Sequence, residues 1–113
     1  MTITGALDQD AGTINAKKLT LESDSTSAAT ITATEIVAAD KTLTQDGAGT
    51  ITVTGENGIT AKTLSQTSTG MVATDKVTGD VTQTGDATLH SNGGTKLEVA
   101  GSVTQDSENA QIG

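Results

Sequence analysis

Aliphatic residues in this chain alternate with threonine and other small polar residues in short runs, and the runs recur. Thr2-Ile3, Thr13-Ile14, Thr30-Ile31 and Thr50-Ile51 open on the same pair, with Met71-Val72 and Lys96-Leu97 as worn copies. A second phrase follows each opening: Leu7-Asp8-Gln9-Asp10, Leu19-Thr20-Leu21-Glu22, Leu43-Thr44-Gln45-Asp46, Leu64-Ser65-Gln66-Thr67, Val81-Thr82-Gln83-Thr84 and Val103-Thr104-Gln105-Asp106. Period-two alternation in β-branched residues predicts strands with one buried face. From Leu7 to Val103 the second phrase advances by about 19 residues a step, the kind of period that stacked repeat proteins keep. The expected fold is all-β: a parallel β-helix (β-solenoid), three-sided, with about six rungs of roughly 19–20 residues. One such domain would span 1–113, as a segment of something longer or as a fibre protomer.

Rungs are expected at 2–12, 13–29, 30–49, 50–70, 71–94 and 95–113. Ile3, Ile14, Ile31, Ile51 and Val72 would form one inward column, with Leu97 also expected in the core. Leu7, Leu19, Leu21, Leu43, Leu64, Val81 and Val103 would form a second, with Ile36, Ile59, Val77, Leu89 and Val99 on the third side or at corners. Gly12, Gly49, Gly70 and Gly94 stand just before openings, and Asp46-Gly47, Glu56-Asn57-Gly58 and Ser91-Asn92-Gly93-Gly94 are turn signals. Helix finds little support, because β-branched neighbours surround the alanine pairs.

Composition narrows the picture further. Phe, Trp, Tyr, Pro and Cys are all absent and 33% of residues are apolar, so a core of aromatics and large aliphatics is excluded. Stacked aliphatics suit a narrow interior, and a coil that uses its strand N–H groups has little room for proline. Low hydrophobicity with a net charge of −8 also fits disorder, but the apolar phase kept through successive repeats argues for order. Missing cysteine removes disulfides and thiolate metal sites together. The acidic balance opposes nucleic acid and anionic membrane as partners. No stretch approaches the ~20 apolar residues of a membrane-spanning helix, and no signal peptide is visible ahead of Thr2-Ile3-Thr4. A mature or excised segment is the expectation.

Candidate chemistry is sparse. His90 is the one histidine, without an evident partner for nucleophilic or metal chemistry, so an enzyme is not expected. Asp10, Asp24, Asp46, Asp86 and Asp106 follow the second strand at comparable places, and stacked carboxylates there would attract Ca²⁺. Solvated charge that keeps strand edges soluble is the plainer reading. No Gly-Gly-x-Gly-x-Asp run supports a calcium roll, and Gly47-Ala48-Gly49 precedes a strand and so makes no phosphate cradle. Outward Thr2, Thr4, Thr30, Thr32, Thr50 and Thr52 would form a Thr-x-Thr face that looks like those of ice-binding solenoids, though threonine is also an ordinary strand residue.

The strings Gly12-Thr13-Ile14-Asn15-Ala16, Gly58-Ile59-Thr60-Ala61 and Gly85-Asp86-Ala87-Thr88-Leu89-His90-Ser91-Asn92-Gly93-Gly94, at this period, resemble filamentous-haemagglutinin-like repeats. These repeats belong to bacterial two-partner-secretion exoproteins, the adhesins and contact-dependent toxin stalks. The likeness covers approximately 13–106. It implies a right-handed parallel β-helix, export through an outer-membrane pore, a secreted or cell-surface location, and a stalk that meets a receptor on a host or neighbouring cell. It carries over no catalytic residue. Open terminal rungs without a cap would favour end-to-end self-association.

Overall fold

A computed structural model describes residues 1–93 and 96–113; the turn signal at Gly94 lies outside them. The described residues form thirteen strands and no helix. In chain order these are β1 (Thr2–Ile3), β2 (Asp8–Gln9), β3 (Thr13–Leu21), β4 (Ser25–Ser27), β5 (Thr30–Gln45), β6 (Thr50–Val53) and β7 (Ile59–Gln66). They continue with β8 (Met71–Ala73), β9 (Lys76–Gln83), β10 (Thr88–His90), β11 (Glu98–Val99), β12 (Val103–Gln105) and β13 (Gln111–Ile112). Every pairing is parallel and joins one turn of the chain to the next. The fold is a β-solenoid of about six turns, with principal extents of 34 × 26 × 23 Å.

Each turn has three pleated sides, and the pairings set their registers. On the first side Ile14, Ile31, Ile51, Val72, Leu89 and Ile112 stack in one column. On the second, Leu19, Ile36, Ile59, Val77 and Val99 stack. On the third, Ser25, Leu43, Leu64, Val81 and Val103 stack. Ile31, Ile51, Val72, Leu89, Leu19, Ile36, Ile59, Val77, Leu43, Leu64 and Val81 have no exposed surface, so the three columns meet in one dry interior. Turn length is set by what lies between sides. Successive openings fall at Thr13, Thr30, Thr50, Met71, Thr88 and Gln111.

Several sequence expectations shift in phase. The fifth turn closes before Thr88 and not at residue 94, because Leu89 pairs with Val72 in the first column. Leu97 precedes β11 on the second side and is only partly buried. Ile3 pairs with Leu21, also on the second side, and its Thr-Ile pair only imitates an opening. Leu19 belongs to the second side; the third side of its turn is Ser25-Thr26-Ser27, with no aliphatic residue. Val103 holds its expected place on Val81 but is 46% exposed, because no turn lies above it. Ile14 is only partly buried for the same reason at the other end.

The interior is not purely aliphatic. Two residues beyond the third-side column, Gln9, Ser27, Gln45, Gln66, Gln83 and Gln105 stack in register. Gln45, Gln66 and Gln83 are fully buried. Gln66 Nε2 donates to Gln45 Oε1 at 2.9 Å, Gln83 Nε2 to Gln66 Oε1 at 2.8 Å, and Gln105 Nε2 to Gln83 Oε1 at 2.8 Å. The second amide hydrogen reaches a first-side carbonyl: Thr88 O from Gln66 at 3.0 Å, Gln111 O from Gln83 at 3.1 Å. An amide offers two donors and an accepting oxygen, so one side chain ties two turns and closes the corner between third and first sides. Ser27 interrupts the ladder, and its Oγ donates to Gln9 Oε1 at 2.6 Å. Gly70 makes room at this corner, since a Cβ there would lie 2.5 Å from Gln45 Cδ. Gly79, at φ 132°, turns the chain from second to third side where a Cβ would strike the Ala61 carbonyl.

Candidate functional site

The structure separates the threonines expected to share a face. Thr2 stacks on Thr20 and lies, with Thr4, on the second side. Thr30, Thr32, Thr50 and Thr52 do share the first side, continuing from Thr13 and Asn15. That array ends two turns later, where Met71 and Ala73 stack on Thr50 and Thr52.

A longer hydroxyl array occupies the third side. Between the inward third-side residue and the ladder residue of each turn stands one outward residue, and these are Thr26 (between Ser25 and Ser27), Thr44, Ser65, Thr82 and Thr104 over five consecutive turns. Thr42 and Thr63 flank the column on one side, Thr67 and Thr84 on the other. Interior ladders pin the backbone beneath it, so the spacing between hydroxyls follows the strand spacing of ~4.8 Å. The repeated glutamine was the available sequence signal: a residue that recurs two places after an inward aliphatic must also face inward, and the residue between them outward.

The carboxylates proposed as a calcium column do not form one. Asp10, Asp46 and Asp106 follow the glutamine ladder but are separated by Ala28, then by Thr67 and Thr84. Asp24 lies before the third-side strand, where its Oδ1 accepts from the Thr42 backbone N–H at 2.9 Å. Asp80 does the same for Ser102 N–H at 2.9 Å. Asp86 lies in a turn and accepts from Ser107 Oγ. Among the described residues no three His, Cys, Asp or Glu side chains gather as metal ligands would.

Two concavities stand out among the described residues. One, of about 380 Å³, lies among Glu56, Asn57, Asp75, Lys76, Lys96 and Glu98. Lys96 Nζ and Glu98 Oε1 pair there at 2.7 Å; their hydrogen bond, with charge attraction second, holds the Glu98 carboxyl below and the Lys96 ammonium above its ordinary range. Asp75 Oδ1 is buried without a partner among the described residues. The other, of about 600 Å³, opens at the carboxyl-terminal end among Thr88, His90, Gln105, Gln111, Ile112 and Gly113. His90 Nδ1 lies 2.8 Å from Ser91 O and Nε2 lies 3.1 Å from Met71 Sδ, with no carboxylate or hydroxyl nucleophile in either contact. No helix among the described residues is long and apolar enough to cross a membrane.

The site best defined by geometry is thus a surface, comprising the two end faces and the hydroxyl-bearing third side of a β-solenoid. No protein-family model, curated protein or solved structure matches the chain.

Proposed function

We propose that the chain is a structural rod, a stalk or fibre segment of a secreted or cell-surface bacterial adhesin-like protein, and that it self-associates end to end. The observation that carries this reading is the unbroken parallel ladder from β1 to β13, which leaves aliphatic columns open at both ends. Met1 is 59% exposed at one end and Val103 is 46% exposed at the other. Edges of unpaired N–H and C=O groups above uncovered apolar side chains favour another strand in place of water. A receptor on a host or neighbouring cell would be the partner at a stalk's tip, as the haemagglutinin-like resemblance implies. Sedimentation of the purified chain at rising concentration tests the association, with negative-stain imaging to show its form. Rods longer than 34 Å are expected; a monomer at every concentration would contradict self-association.

The third-side hydroxyl column favours a second reading, an ice-binding face. Thr44, Ser65 and Thr82 are consecutive in that column, and Thr42 pairs with Thr63 beside it. If the face binds ice, the chain inhibits ice recrystallisation and the Thr44→Tyr/Thr82→Tyr variant does not. Equal behaviour of the two proteins would remove this reading.

A further inference from the structure

Resting on the structural-rod reading, we propose a fixed register for the docking of one copy on the next. The carboxyl-terminal edges β11, β12 and β13 of one copy receive β1, β2 and residues 13–16 of another, all in parallel. The observation behind this is one of phase. The amino-terminal end leaves a second-side, a third-side and a first-side stretch open, in that chain order: β1, β2 and residues 13–16 each have a neighbour on one flank only. The carboxyl-terminal end leaves the same three sides open in the same order, as β11, β12 and β13. A second copy therefore covers each open edge once, with no side duplicated or skipped.

Side chains agree with that register. Met1 stands in the column of Leu19 and Val99, Leu7 in that of Ser25 and Val103, and Ile14 in that of Ile112. Docking would place Met1 on Val99, Leu7 on Val103 and Ile14 on Ile112, covering the apolar side chains at both ends. The glutamine ladder continues as well. Gln105 donates downward to Gln83, and no turn lies above its own Oε1. Gln9 Nε2 donates to Gly12 O at 3.3 Å and Thr30 O at 3.1 Å. On docking, one of those hydrogens would turn to Gln105 Oε1 of the copy below, the arrangement Gln66 already shows with Gln45 and Thr88. The contact is head to tail and leaves the same two faces free, so it propagates as a filament.

One feature opposes the contact. Within the chain, Asp10, Asp46 and Asp106 never occupy adjacent turns of their shared column. The junction would set Asp10 one strand spacing from Asp106 of the copy below. Two unit charges ~4.8 Å apart in water repel enough to lower association about four-fold. Asp106→Asn is expected to recover that factor.

The chain has no cysteine, so introduced thiols report one contact each. Asp8 and Thr104 share the outward third-side column and would be neighbours across the junction. The Asp8→Cys/Thr104→Cys variant, oxidised, is expected to give a ladder of disulfide-linked multimers. Asp8→Cys/Thr60→Cys, with its second thiol on the second side in mid-rod, is expected to give none. Homodimers from Asp8→Cys alone, or from Thr104→Cys alone, would show head-to-head or tail-to-tail contact; that overturns this register and leaves end-to-end association standing. Absence of cross-links from a chain that sediments as a monomer would overturn both. A covalent tandem covers the case of weak association. Gly113 is in register with Asn15 and Met1 with Leu19, so the gap across the junction matches residues 16–18. Two copies joined by Ala-Lys-Lys are expected to unfold in one transition above the single chain's melting temperature. Unfolding at the single-chain temperature would contradict the register.

Discussion

Replacing Gln66 with leucine is expected to destabilise the chain by about 3–5 kcal/mol, more than any comparable change on the surface. The substitution keeps approximate volume and removes three hydrogen bonds at once. Gln45 Oε1 and Thr88 O lose a donor, and Gln83 Nε2 loses its acceptor. All three glutamines are fully buried, so water cannot replace the missing partner without opening the corner. Three groups each lose a partner at about 1–3 kcal/mol, so about 3 kcal/mol is the floor, and local relaxation of the corner keeps the cost near it. At roughly 4 °C per kcal/mol for a chain of this size, the melting temperature is expected to fall by more than 10 °C. Thr44→Ala, in the outward position beside the same ladder, is expected to change it by no more than ~2 °C. Equal effects would show that the glutamines do not face inward.

Truncating Leu64 to alanine is expected to cost about 2–5 kcal/mol. Leu64 has no exposed surface and lies between Leu43 and Val81 in the third-side column, with a paired strand on each flank. The neighbouring turns are held at the strand spacing by their ladders, so the cavity has little means of closing. Val103→Ala, in the same column at the open end, removes a side chain that is already 46% exposed and is expected to cost under ~1 kcal/mol in the monomer. A denaturant titration of both variants checks the contrast, which depends on depth within the stack rather than on residue type.

The alternation of aliphatic and hydroxyl residues and the recurring Leu-Thr-Gln phrase made the solenoid legible. Leu43, Leu64 and Val81 occupy the expected column because that phrase is long enough to fix both register and face. Phase was lost where the cue was shorter. Thr2-Ile3 matches an opening in two letters yet continues Thr20-Leu21, and Leu97 lies in the lengthened connection that precedes β11. Ser25 and Ser27 went unread because a hydroxyl can fill an inward position when its hydrogen bonds are met. Ser25 Oγ accepts from Leu7 N–H and donates to Ser23 O, and Ser27 Oγ donates to Gln9 Oε1. The glutamines were visible as a repeat, but hydropathy alone assigns an amide to solvent. Their periodic place beside Leu43, Leu64 and Val81 is the stronger guide, and it relocates the long hydroxyl face to the third side.

Nuclear Overhauser contacts in the isotopically labelled chain bear most directly on the stacking itself. Backbone contacts of the parallel kind between the Leu43, Leu64 and Val81 segments are expected, with side-chain amide contacts joining Gln45, Gln66 and Gln83 in that order. Antiparallel contacts among those segments, or none beyond neighbours in sequence, would contradict the stacked-turn architecture.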